Sequence, residues 1–227
     1  MTTSGPVHHV PPEELVEYAA GACGEATALA IACHASLCAA CATQLRALDA
    51  LGGAALDDAA PTATAPDAFA NLLGRLDDAP GDEAPAPGVD VDPATLRVFV
   101  SLGVPRVVLP YVAPAASGGW RRLVPGITRV DLRVGPPDTV ARLVNLRPGL
   151  EIPLHDHGGV EHTVILTGAL ADDQGRFARG DVSIRSAGER HVQRVEAGEP
   201  CVALVINEGP LVPLTWKGKA LNLLSSL

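Results

Sequence analysis

The sequence has few aromatic residues, few lysines and no long apolar run. Aromatic residues make up 3% of the 227 positions, and lysine occurs only at Lys217 and Lys219. With 17 basic and 26 acidic residues the net charge is −9, whereas nucleic-acid binding needs clustered basic side chains. No stretch reaches the ~20 apolar residues of a membrane helix. We therefore expect no direct contact with nucleic acid or with a membrane, and a basic protein would suit this charge better as a partner.

The amino terminus also lacks the basic and apolar segments of a secretion signal, so the cytoplasm is the expected location. The chain contains five cysteines, an odd number. Disulfides are disfavoured in the cytosol, where cysteines more often indicate metal binding or reactive thiols. Of the five, we expect Cys23, Cys33 and Cys201 to be packing residues.

The composition changes along the chain and divides it into three parts. Residues 1–76 are rich in alanine and leucine at helical spacing, which predicts a small bundle of about four helices. Residues 77–95 are rich in proline, glycine and acid, which is typical of a flexible linker. Residues 96–227 contain short aliphatic runs between glycine and proline turns, beginning with 97–100 and 106–109. This pattern predicts a β-sandwich or barrel.

His34, Cys38 and Cys41 have a spacing that suits zinc, which binds imidazole and thiolate in a tetrahedron of four ligands. His34 and Cys38 share one helix face, but Cys41 lies about 10 Å along the axis of a straight helix from His34. The three can meet only if the helix breaks near Cys38. His8 or His9, the only histidines upstream, would supply the fourth ligand. A redox-active thiol pair is the alternative, although the flanking β-α-β pattern is missing.

A second set of metal-binding residue types lies in the β region. His155 and His157 point to the same side of a strand, and Gly158-Gly159 can turn the chain to bring Glu161 to the same point. His191 supplies a third imidazole. Such a set suits Zn, Mn, Fe or Ni, and the alternative is four unrelated surface residues. His162 should face away from Glu161. No catalytic residue is predicted, because the sequence shows no Ser-His-Asp order and no phosphate loop.

These motifs carry a resemblance to a known family. The His-x3-Cys-x2-Cys motif with an upstream histidine resembles the zinc-binding anti-sigma domain, and the 24 residues between His9 and His34 fit that family better than His8 does. From Gly149 to Gly168 the chain matches the first cupin motif, Gly-x5-His-x-His-x3-Glu-x6-Gly. The second cupin motif departs twice, with Ser186 for Pro and Val195 for Asn. The two domains in this order resemble the ChrR-type anti-sigma factors.

The resemblance implies a fold, two metals and a partner. It implies a zinc-stapled helical bundle followed by a cupin-type β-barrel (jelly roll). The zinc ligands would be His9, His34, Cys38 and Cys41. A second divalent metal would be bound by His155, His157, Glu161 and His191. Zinc is expected there first, with Mn, Fe or Ni as alternatives. Such a protein is not an enzyme.

The implied activity is inhibition of an extracytoplasmic-function sigma factor, with the cupin domain sensing a singlet-oxygen-like oxidative stress that releases it. The alternative is a metal-dependent cupin enzyme, dioxygenase-like, with a helical regulatory domain.

Overall fold

The computed structural model of the chain describes residues 5–77, 92–112, 119–209 and 211–213. Most of the predicted linker and the last fourteen residues of the predicted cupin domain lie outside these ranges. The helices are α1 (Pro12–Ala19), α2 (Glu25–Ala35), α3 (Ala39–Asp57), α4 (Ala68–Asp77) and α5 (Pro93–Ser101), followed by a 3-10 helix at Arg106–Tyr111. The first four helices confirm the predicted helical bundle.

The remainder of the described chain is antiparallel β structure. The strands are β1 (Arg121–Val124), β2 (Ile127–Asp131), β3 (Thr139–Leu146), β4 (Glu151–His157), β5 (Glu161–Thr167), β6 (Ala169–Asp172), β7 (Gly175–Ala178), β8 (Val182–Arg185), β9 (His191–Val195), β10 (Cys201–Glu208) and β11 (Leu211–Pro213). They form a six-stranded sheet in the order β1-β2-β3-β10-β5-β8 and a five-stranded sheet in the order β11-β4-β9-β6-β7. The predicted two-sheet β domain is therefore present.

The six-stranded sheet is buried on both faces at its centre. Side chains alternate between the two faces of a strand, so Ile165 on β5 points into the space between the sheets while Val164 and Leu166 point out of it. The inner residue belongs to a cluster with Leu170 and Phe177. The outer two belong to a separate cluster that also contains residues of α1, α2, α3 and α5. The helices therefore pack directly on the outer face of this sheet.

Two runs predicted as strands are helical, so that prediction is wrong for residues 97–100 and 106–109. The first lies in α5, where the Asp92 carboxylate accepts hydrogen bonds from the backbone N–H groups of Ala94 and Thr95, each at 3.0 Å. Pro93 follows that cap at the first helical position, where its fixed φ is favourable. The second run forms a 3-10 helix that includes Pro110, a residue disfavoured in a paired strand except at an edge or a bulge. Because both runs are rich in aliphatic residues, composition alone predicted strands and overlooked the Asp92-Pro93 helix start and Pro110.

The corner between α2 and α3 is the sharpest feature of the helical region. Within the described residues no single helix combines the length and apolar composition needed to cross a bilayer; α2 and α3 meet those criteria only as a pair, and they are bent by 120° against each other. The backbone leaves the helical conformation at Cys38, with φ −116° and ψ 103°. The break expected between His34 and Cys41 is thus confirmed.

Candidate metal centres

The first cluster of metal-binding side chains lies at the corner between α2 and α3. His34 is in the last turn of α2, Cys38 caps α3 and Cys41 lies in its first turn. His9 approaches from the segment before α1. One ligand atom from each of the four residues lies within 4.8 Å of the others. The structure therefore brings together the four side chains expected to hold zinc.

The spacing of these atoms fits a tetrahedral ion. The Nδ1 of His9 is 3.3 Å from the Sγ of Cys38 and 3.7 Å from the Sγ of Cys41, and the Nε2 of His34 is 3.3 Å from the latter. Zinc bonds of about 2.0–2.1 Å to nitrogen and about 2.3 Å to sulfur give nitrogen–sulfur edges of about 3.5 Å in a tetrahedron. The donor set and its size both suit zinc.

Burial favours the ligating form of His34 and disfavours that of Cys41. It lowers the pKa of His34, outweighing the hydrogen bond from its Nδ1 to the carbonyl oxygen of Gly180 at 2.8 Å. Since a carbonyl only accepts, Nδ1 carries the proton and the Nε2 lone pair faces Cys41. Burial also raises the pKa of Cys41 to about 11. A metal ion must therefore displace the Cys41 proton, and its affinity for this site should increase with pH.

His8 and His9, which spacing alone leaves as alternatives, have different surroundings. The His8 ring lies against Phe177, with 4.2 Å between ring centroids, and its Nε2 is 3.0 Å from the carbonyl oxygen of Arg176. Only His9 of the two belongs to the cluster of candidate ligands. His8 instead contacts strand β7 of the barrel.

The other cysteines lie among apolar residues, as expected. Cys33 is fully buried and belongs to the cluster between helices and sheet, while Cys201 is fully buried between the sheets. Desolvation raises the pKa of each to about 12. Cys23 is partly buried against the first of these clusters. All three are therefore protonated packing residues.

The second cluster lies between the two sheets. His155 and His157 come from β4, Glu161 from β5 and His191 from β9, and all four side chains are buried with ligand atoms within 4.8 Å of one another. His155 and His191 are directly paired in the β4–β9 register. The Nε2 of His191 is 3.0 Å from that of His155 and 3.1 Å from that of His157. The expected four residues thus converge on one point.

The hydrogen bonds of these imidazoles favour a cation at that point. Each Nδ1 faces an oxygen that can only accept, so each Nδ1 carries a proton and each Nε2 presents a lone pair. The acceptors are the carbonyl of Pro153 for His155 (3.0 Å), the amide oxygen of Asn207 for His157 (3.2 Å) and the carboxylate of Asp172 for His191 (3.1 Å). Three lone pairs beside a carboxylate repel one another unless a metal ion accepts them.

Asn207 was not predicted from the sequence. It lies at the end of the apolar strand β10, where its amide nitrogen donates to the Glu161 carboxylate at 3.0 Å. That bond fixes the orientation of the amide, so its oxygen faces His157. A buried asparagine at the end of an apolar run is the sequence signal that could have identified it.

Asp172 was missed as well. Its fully buried carboxylate contacts the Arg185 guanidinium at 2.5 Å as well as His191. Although burial raises its pKa, the hydrogen bonds from His191, Arg185 and the Gln174 backbone lower it to about 2. Asp172 is therefore an anion beside His191, an arrangement that orients a ligating imidazole and increases its basicity.

His162 faces away from Glu161, as expected, but it is not an inert residue. Its side chain is buried and its Nε2 is 3.0 Å from the Glu14 carboxylate on α1. The two adjacent residues of β5 thus face different parts of the protein, Glu161 the barrel interior and His162 the helices.

Comparisons with known proteins agree with both halves of this structure. Residues 111–212 match the family model of the ChrR cupin-like domain. Over 205 residues the chain is 34% identical to the anti-sigma-E factor ChrR of Cereibacter sphaeroides, covering 90% of this chain and 91% of that protein. A chain in the crystal structure of Rhodobacter sphaeroides SigE in complex with the anti-sigma ChrR is similar, with a TM-score of 0.67, 32% identity, and coverage of 88% of this chain and 98% of that one.

Replacement of Asp172 tests the geometry of the barrel site. In the Asp172→Ala variant, His191 loses the acceptor at Nδ1, and metal affinity at this site should fall by about 10–100-fold. Competition with a chelator, followed by metal analysis of the full-length protein, measures the change. Asp173→Ala is the matched control, since Asp173 also contacts Arg185 but is exposed and leaves the His191 contact intact. Equal metal retention in the two variants would contradict the assigned role of Asp172.

Proposed function

Since the chain belongs to the family of ChrR-type anti-sigma factors, we propose that it is a zinc-dependent anti-sigma factor that binds and inhibits an extracytoplasmic-function sigma factor in the cytoplasm. The observation that carries this proposal is the match of nearly the whole chain to one anti-sigma factor. The similar structure is that of such a protein in complex with a sigma factor. In this proposal, residues 1–76 bind the sigma factor and 96–227 form the sensor. The linker is shorter than the predicted 77–95, because residues 93–95 belong to α5.

Helix α4 is the surface best suited to contact the sigma factor. Its apolar face is formed by Phe69, Leu72 and Leu73, of which Phe69 is 71% exposed. The apolar stripe of α1 is different, because Leu15 is buried and Tyr18 packs against the core between helices and sheet. An amphipathic helix with an uncovered apolar face is suited to docking in a groove of a partner.

Zinc in the first cluster would hold the helical region in the shape that the partner recognises. The cluster joins the segment before α1 to the corner between α2 and α3. A helical region of this size buries little surface for its length, and a structural zinc supplies folding free energy of order ~10 kcal/mol in zinc-finger peptides. Loss of that ion should therefore loosen the sigma-binding surface.

The barrel site supports a sensory role. Its candidate ligands are buried between the sheets, and a cavity of about 440 Å³ lies against Asp172 and His191 on the side of β9. The side chains of Asp172 and His191 are 0% exposed, because β9 directs His191 into the barrel and Val192 toward this cavity. An oxidant as small as dioxygen would therefore have to pass between the strands to contact the imidazole. We propose that an oxidant of the singlet-oxygen type acts at this centre and releases the sigma factor.

One observation favours the rival function, a metal-dependent cupin enzyme. The volume of this cavity lies within the ~300–1,000 Å³ range of small-molecule sites. Its charged lining residues already have partners, however, since Arg194 contacts Glu151 and Arg190 contacts Asp156. Turnover of a small substrate by the purified protein would support the enzyme, and stoichiometric capture of a sigma factor supports the anti-sigma factor.

Loss of a thiolate ligand tests the zinc dependence. Cys41→Ser should weaken sigma-factor binding by more than about 100-fold, because the folding free energy of the helical region depends on the metal. Calorimetry with the purified sigma factor, with and without chelator, measures the effect. Cys23→Ser is the control, as this thiol lies outside the cluster. Undiminished binding by Cys41→Ser or by the metal-free protein would refute the role of zinc.

The apolar face of α4 gives a second test. Phe69→Ser and Leu73→Ser should each weaken sigma-factor binding by about tenfold or more, corresponding to about 1.4 kcal/mol of lost apolar contact. The protein's own stability should not change, because these side chains are exposed. Asn71→Ser introduces the same residue on the opposite face of the helix, where Asn71 contacts Asp67, and should leave binding unchanged. If all three bind equally well, α4 does not contact the partner.

Two glutamate variants test whether the helical region binds the sigma factor while the barrel site senses the oxidant. Glu161→Gln removes an anionic candidate ligand from the barrel site, whereas Glu151→Gln alters an exposed residue on β4 paired with Arg194. Both variants should hold the sigma factor as wild type does. Only Glu161→Gln should lose release when singlet oxygen is generated by a photosensitiser, measured as dissociation of the complex. Failure of Glu161→Gln to bind the sigma factor would contradict this separation.

A further inference from the structure

A turn of the barrel lies directly against the first metal cluster. This turn, residues 178–182, joins β7 to β8 and contacts the segment that leads to His9. The Asp181 carboxylate is 3% exposed, and its Oδ1 accepts hydrogen bonds from the backbone N–H groups of Val7 at 2.7 Å and His8 at 2.9 Å. The N–H of Val182 also donates to the His8 carbonyl oxygen at 3.4 Å. The backbone immediately before His9 is thus fixed by the barrel.

The same turn also contacts the other histidine of the cluster. The carbonyl oxygen of Gly180 accepts the hydrogen bond from His34 Nδ1 at 2.8 Å and so selects the tautomer whose Nε2 faces Cys41. The two histidines of the cluster come from separate segments of the helical region, and adjacent residues of the barrel orient both.

The close approach requires a glycine at position 180. Its φ is +89°, which L side chains rarely adopt. An added Cβ would also lie 2.6 Å from the Cγ of Pro6 and 3.5 Å from the Cβ of Leu37. The contact with Leu37 is an ordinary van der Waals distance, but the contact with Pro6 is a clash, so any side chain here would push the segment before His9 away from the barrel.

The turn is itself rigid. The second carboxylate oxygen of Asp181 accepts from the Ala178 N–H at 2.8 Å, and its backbone carbonyl accepts from the Ile165 N–H at 3.0 Å on the central strand β5. The acceptors offered to the helical region are therefore held in place by the barrel before any metal binds.

We infer that Asp181 is a positioning residue of the amino-terminal metal site, and that the turn 178–182 completes this site from the other half of the chain. The inference rests on the proposed function, because it takes the first cluster as a metal site. Hydrogen-bond partners of metal ligands commonly contribute about 10–100-fold to metal affinity. The Gly180 carbonyl is such a partner of His34, whereas Asp181 acts through the backbone of Val7 and His8 next to the ligand His9. The barrel would then set how tightly the helical region retains its metal.

Cobalt distinguishes the two clusters in the full-length protein. Only the first offers thiolates, so thiolate-to-cobalt charge-transfer absorption reports that site alone. Its loss to a competing chelator gives the affinity and the dissociation rate. Asp181→Ala should increase chelator-driven loss by about 10–100-fold, and Asp181→Asn, which retains an amide oxygen as acceptor, should restore part of the affinity. Gly180→Ala should resemble Asp181→Ala.

Asp92→Ala is the matched control for stability. Asp92 likewise accepts backbone N–H groups, two where Asp181 accepts three, but it caps α5 and is not in contact with the cluster. It should lower thermal stability without changing the absorption spectrum or the rate of cobalt loss. A merely structural role for Asp181 would make its variants behave as Asp92→Ala does, with lower stability and an unchanged spectrum.

The outcomes separate this inference from the proposed function. If the wild-type protein shows no thiolate-to-cobalt absorption, both the metal site and the positioning role are wrong. If the wild type shows it and the Asp181 and Gly180 variants lose cobalt at the wild-type rate, only the positioning role is overturned. Should Asp181→Ala fail to fold, as judged by circular dichroism, Asp181→Asn and Gly180→Ala decide the question by the same measurement.

Discussion

The structure depends on the burial of one β-sheet on both faces. The central strands β5 and β10 direct one set of side chains between the sheets and the alternate set toward the helices. Two adjacent residues of β5 have different environments. Glu161 is a candidate metal ligand inside the barrel, whereas His162 contacts Glu14 on α1. Because the strand is shared, the site inside the barrel and the helical region outside it cannot be arranged independently.

Both candidate metal centres follow the same chemical rule. A neutral histidine presents a lone pair on one ring nitrogen only if the other nitrogen donates its proton to an acceptor. His34 donates to Gly180, and His191 donates to the anionic Asp172. These two acceptors lie 146 and 19 positions from their histidines, and burial excludes the water that would otherwise compete with them. The orientation of His34 and His191 is therefore a property of the packed protein, whereas His155 donates to Pro153, two residues before it.

Residues at the two ends of strand β8 contact groups that hold the ligands of both candidate metal centres. At its start, Asp181 holds the backbone next to His9. At its end, Arg185 contacts Asp172, which in turn contacts His191. The strand is four residues long. The hydrogen-bonded surroundings of both centres thus share one short strand at the edge of the six-stranded sheet, where it pairs with β5.

The sequence alone determined the features that depend on local spacing. His34, Cys38 and Cys41 meet at a helix break, and His155 and His157 share a strand face, because helix rise and strand alternation are intrinsic to the backbone. Sequence reasoning failed for α5, where aliphatic residues concealed an Asp-Pro helix start.

The tertiary structure alone decided how these residues are held. It distinguished the surroundings of His9 from those of His8, packed the helices on the barrel, and supplied Asn207, Asp172, Gly180 and Asp181 as partners. Gly180 and His34 are 146 positions apart, and Asp181 and Val7 are 174 apart. No periodicity relates residues at such distances, because their contacts are created only when the sheets close and the helices pack on the outer face.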